Sequence, residues 1–61
     1  MINEIERYNV FQAMQKYGGS FVKALGNALM VADHINATKI KQAFPEYWKQ
    51  YKEMGEKNER N

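Results

Sequence analysis

Helix breakers divide this chain before any other pattern is considered. Gly18-Gly19 follows a stretch, Asn3 to Tyr17, that contains no glycine or proline, and the single proline, Pro45, stands between two further apolar stretches. Glycine loses more backbone entropy than other residues in a helix, and proline lacks the N–H and crowds the preceding turn, so each marks an end or a bend. The segments between them read as helices. From Asn3 to Tyr17, Ile5, Tyr8, Phe11, Met14 and Tyr17 recur at every third position with Val10 and Ala13 filling the stripe, which predicts an amphipathic helix. Asn3 is its expected N-cap, with Glu6 in the reciprocal position of a capping box. The glycine pair is expected to close it in the left-handed conformation.

Ser20 is then the expected cap of a second helix over 20–33, with Phe21, Leu25, Ala28 and Ala32 on one face and Val22 and Leu29 beside them. Ala24, Gly26 and Ala28 are small enough to admit a neighbouring helix, so this helix reads as the central element. Met14 and Met54 fall on core stripes, whereas Met30 lies off the main face and is expected in solvent. Asp33-His34-Ile35-Asn36 reads as a polar turn in which Asn36 caps a short third helix, 37–44. Pro45 disfavours the α conformation at Phe44 and suits the first position of a fourth helix, 45–54, with Glu46 in its first turn, Lys52 in its last and Gly55 just beyond. Residues 55–61 carry no apolar side chain and are expected to form a disordered tail. Ile40, Ala43, Phe44, Tyr47, Trp48, Tyr51 and Met54 continue one stripe across Pro45, so a kinked rod and a corner both satisfy the pattern, with the corner preferred. The fold class is all-α: a small three-to-four-helix bundle, one domain over 1–54 with a flexible tail over 55–61.

A 61-residue chain seldom draws more than roughly 3–5 kcal/mol of net stability from its core, so small domains usually add disulfides, a metal or a partner. With no cysteine and a single histidine, His34, the disulfide remedy and the usual zinc ligand sets are excluded. A homodimer or another protein partner remains. The longest apolar run, Ala28 to Ala32, is far short of the roughly 20 residues of a membrane span. The charged start of the chain lacks the apolar stretch of a signal peptide. The expectation is a soluble cytoplasmic protein.

Chemistry is sparse. No nucleophile with an adjacent base, carboxylate pair or metal set is visible, so the chain reads as a non-enzyme without cofactor or metal. Gly18-Gly19-Ser20 lacks the lysine and the longer glycine pattern of a phosphate-binding loop. Asp33 and His34 are chain neighbours, which seldom meet in the geometry of a general base and its orienting carboxylate. Nine Lys and Arg against seven Asp and Glu leave a formal charge of +2, with the lysines dispersed and the arginines near the ends. A helix-turn-helix built from the second and third helices, with Lys39 and Lys41 reading DNA, is the alternative function, and the scarcity of arginine weighs against it.

The octet Phe44 to Tyr51 holds four of the eight aromatic residues. On a helical projection Phe44 and Tyr47 are expected in the core, while Trp48 falls at the stripe's edge beside Lys41 and Lys52. Trp48 and the tyrosines satisfy the pattern as wrapping of the core with their polar tips in water, or as a contact surface; on the second reading the candidate partner-binding residues are Trp48, Tyr51, Lys52 and Lys41, with the two aromatics as anchors, since Trp and Tyr are enriched among interface hot spots.

The run Tyr17-Gly-Gly-Ser-Phe-Val-Lys-Ala-Leu25, then Ala32-Asp33, then Ile40 to Trp48 with Tyr51, resembles short uncharacterised reading frames that recur in bacteriophage and prophage genomes. The resemblance covers roughly two thirds of the chain. It implies a phage or prophage accessory protein of this size class and assigns no activity and no functional residue.

Overall fold

The computed structural model describes residues 2–60, with side chains as far as Lys57. It contains four helices: α1 (Glu4–Tyr17), α2 (Ser20–Val31), α3 (His34–Ala43) and α4 (Pro45–Arg60). The all-α bundle is as expected, and no helix among the described residues is long and apolar enough to cross a membrane.

The centre of the bundle is α1, not α2. It packs along both α2 and α4, whose backbones do not approach each other. Of the three small residues expected to admit a neighbour, Gly26 does so, since a Cβ built there would lie 3.1 Å from Met14 Cβ, whereas Ala24 and Ala28 are exposed. The buried positions of α2 are Val22, Gly26 and Leu29, while Phe21 stays 58% exposed. On α1 the buried positions are Val10, Ala13 and Met14, and Ile5, Tyr8 and Tyr17 are exposed. A row of every third residue turns back by about 60° per step on a helix of 3.6 residues per turn, so the expected stripe cannot hold one face. Met54 is partly buried and Met30 exposed, as expected.

The start and end of α1 and the starts of α2 and α4 lie where expected, whereas α2 ends at Val31 rather than at 33. Asn3 Oδ1 accepts from the N–H groups of Ile5 at 2.8 Å and Glu6 at 3.3 Å, which caps α1. Gly18 and Gly19 have φ of −80° and −79°, and no described residue has a positive φ. The left-handed cap is therefore replaced by a requirement for space: a Cβ on Gly18 would stand 2.5 Å from Val22 Cγ1 and 2.6 Å from the Met14 carbonyl oxygen. Gly19 occupies the N-cap of α2 without a side-chain bond, and Ser20, expected there, is the first helical residue. At the other end of α2 no basic residue stands in the last turn, and α1 supplies one: the Arg7 guanidinium donates to the Ala32 carbonyl at 2.6 Å.

Asp33 rather than Asn36 caps α3, accepting from the Asn36 N–H at 2.8 Å, so that helix starts at His34 instead of Ala37. Phe44, with φ −128° and ψ 61°, is the single non-helical residue between α3 and α4. The preferred corner is present: Pro45 opens a separate helix, and the Trp48 N–H donates to the Phe44 carbonyl at 3.0 Å.

Gly55 does not end α4. It is buried inside it, where a Cβ would meet the Asn9 carbonyl oxygen at 2.6 Å, so it is the point at which α4 lies directly on the backbone of α1. The tail expected from Gly55 is corrected accordingly, since the helix continues to Arg60. Of that tail, Asn61 and the side chains of residues 58–60 lie outside the described residues. Ile2, Trp48 and Tyr51 join the buried residues of α1 and α2, and Ala37 of α3, in one core.

Candidate functional site

The rotation of α4 decides which of its aromatics face inward. Trp48, Tyr51 and Gly55 are spaced i, i+3, i+7 and share the face that the Gly55–Asn9 contact presses against α1. Trp48 is consequently 3% exposed and Tyr51 6% exposed. This corrects the expectation of Trp48 and Tyr51 as surface anchors. Tyr47, about 100° round the helix from Trp48, is the residue turned outward, at 37% exposure.

Burying an indole leaves an N–H that needs a partner. Glu6 of α1 provides it: Trp48 Nε1 donates to Glu6 Oε2 at 2.8 Å. Lys41 Nζ donates to the same oxygen at 3.2 Å and lies 5.6 Å from the centre of the Trp48 ring, while Lys52 Nζ stands 3.6 Å from Glu6 Oε1. The Trp48 hydrogen bond, foremost, and then the two lysines hold the Glu6 carboxyl below the usual carboxylate range, against an upward push from its partial burial. Glu6 therefore leaves the capping box half-formed, because its carboxylate is turned to α3 and α4.

Around this carboxylate the start of α1, the end of α3 and the start of α4 enclose an open cleft of about 530 Å³, lined among others by Glu6, Lys41, Pro45, Trp48, Lys49 and Lys52. Three of the four candidate partner-binding residues, Trp48, Lys41 and Lys52, are thus brought together, with Trp48 as floor. Tyr51 is not part of this cleft.

A second feature lies on the other flank of α4. Phe21, Phe44 and Tyr47 form a triangle of rings with centroids 5.9, 6.0 and 6.2 Å apart, and Tyr47 continues it inward to Tyr51 at 6.5 Å. Tyr47, expected in the core, and Phe21, expected on the buried face of α2, make an exposed platform instead, with Phe44, also expected in the core, half-buried between them. His34, considered with Asp33 as a dyad, turns its Nε2 to Glu4 at 3.2 Å while Asp33 is engaged in capping.

Sequence reasoning missed Glu6 and Phe21. The first was read only in its local capping position, and its 42-residue separation from Trp48 carries no local signature. The second was assigned by helical spacing alone, which fixes neighbours on α2 but not the rotation of α2 about its axis.

No protein-family profile, curated protein or solved structure matches the chain.

Proposed function

We propose that the chain is a small non-enzymatic protein that acts by docking a protein partner on the Phe21–Phe44–Tyr47 platform. The resemblance described above supports a phage or prophage accessory protein working in the cytoplasm of a bacterial host. The observation that carries the docking reading is the joined, solvent-facing aromatic surface, with Phe21 58% and Tyr47 37% exposed. Aromatic side chains supply large, rigid contact area and dominate the energetics of many protein interfaces. Contiguous apolar surface of this kind is where soluble domains meet partners.

The test is affinity capture from a bacterial lysate with the wild type, Phe21→Ala and Tyr47→Ala, each first shown to be helical by circular dichroism. Loss of one specific protein with both variants supports the platform. Equal recovery of that protein by all three baits overturns it. Capture of duplex DNA that weakens with salt and with Lys39→Gln would replace it by the nucleic-acid alternative.

A further inference from the structure

The cleft beside Trp48 holds more ammonium donors than the chain itself uses. A lysine ammonium carries three N–H donors. Lys41 donates one to Glu6, Lys52 faces the other oxygen of the same carboxylate, and Lys49 has no hydrogen-bond or ion-pair partner among the described residues. Glu6 is the sole carboxylate lining the cleft, so one negative charge stands against three positive ones. The side chains of Lys41 and Lys52 remain 44% and 39% exposed, which leaves their spare donors facing solvent. Apolar surface is adjacent in the exposed ring of Pro45, with the buried Ile2 and Trp48 beneath it.

We propose that this cleft binds an acidic segment of a protein, with a carboxylate seated between Lys49 and the spare donors of Lys41 and Lys52 and an adjoining apolar side chain against the exposed Pro45. Charge complementarity selects an anion, and the apolar wall beside the lysines selects one carried on a peptide. Glu6 itself demonstrates the coordination: a carboxylate is already held there by two ammonium groups and an indole N–H. The cleft lies on the opposite flank of α4 from Tyr47, since Lys49 and Lys52 are turned about 160° and 140° from it. The two surfaces can therefore fail independently.

The experiment uses a capped, fluorescein-labelled peptide of sequence Glu-Glu-Leu-Glu-Glu-Leu, titrated with the full chain and followed by fluorescence anisotropy. Saturable binding that weakens as salt is raised is expected. Lys49→Gln, which touches no internal contact, should raise the dissociation constant roughly two- to fivefold, the range of a single exposed charge pair. Lys23→Gln on α2 should leave it unchanged, and a peptide with Gln in place of Glu should not bind. Absence of saturable binding overturns the proposal. So does equal weakening by Lys49→Gln and Lys23→Gln, or tighter binding of a single-stranded oligonucleotide of matched charge.

Discussion

Replacing Gly55 by alanine sets two effects of opposite sign against each other. In an ordinary helix interior the change should stabilise by about 1 kcal/mol, because alanine is the better helix former. Here the new Cβ would stand 2.6 Å from the Asn9 carbonyl oxygen and 3.0 Å from its carbonyl carbon. Ordinary contact begins near 3.4 Å, so α1 and α4 must separate by about 0.8 Å at their closest point. Backbone cannot rotate aside as a side chain can. A gap of roughly 0.5–1 Å forfeits a quarter to a half of the dispersion energy of the atoms lining it, and those atoms belong to the buried cluster around Val10, Ala13, Trp48 and Tyr51. Overpacking typically costs about 1–3 kcal/mol, and a backbone clash belongs at or above the upper end. The net expectation is a loss of about 2 kcal/mol, a large part of the roughly 3–9 kcal/mol that a chain of this length has in total. The melting temperature should fall by about 8–16 °C, read by circular dichroism at 222 nm on heating, with urea titration giving the free energy directly. Gly19→Ala is the control, since nothing lies within 4 Å of a Cβ at that position. A Gly55→Ala protein as stable as the wild type, or more so, would refute the packing of α4 on Asn9.

Gly19→Asp should stabilise by about 0.5–1 kcal/mol, because the site is open, its backbone is extended, and an aspartate there supplies α2 with the side-chain cap it lacks while restricting the unfolded chain; an unchanged urea midpoint would count against the assigned start of α2. For Glu6 the folded carboxyl is held below its usual value, so its stabilising contribution is complete above the ordinary glutamate range and is lost as pH falls through the lowered value. Urea unfolding from neutral to acid pH should accordingly show a steeper decline for the wild type than for Glu6→Gln, and parallel declines would contradict the network around Trp48.

Element positions were legible because they depend on local chemistry. Asn3 caps where a capping residue should, Gly18-Gly19 separates α1 from α2, and Pro45 opens α4 after a single non-helical residue. Faces were less legible. On α1 a regular three-residue spacing of Ile5, Tyr8 and Tyr17 outlined a stripe that the 3.6-residue turn carries round into solvent. Gly55 has the local appearance of a helix stop, and only the neighbouring Asn9 backbone, 46 positions away in sequence, explains why it lies inside a helix. Trp48 and Tyr47 are adjacent in sequence, so either could have faced inward. The choice rests on a glycine contact and on a carboxylate contributed by α1, neither of which a helical projection of α4 contains. The lysines of the candidate site survived this reassignment, because Lys41 and Lys52 flank Trp48 whether it faces inward or outward.

The placement of both surfaces follows from the rotation of α4 that buries Trp48 on Glu6 and turns Tyr47 outward. As the chain has one tryptophan, its indole Nε1–H gives a single resolved signal in a ¹H–¹⁵N spectrum, and hydrogen exchange at that signal tests the arrangement directly. Exchange should be slow in the wild type, the resonance should move as Glu6 takes up a proton in acid, and Glu6→Gln should shift it and speed its exchange. Exchange at the rate of a free indole, with no response to Glu6→Gln, would contradict the account.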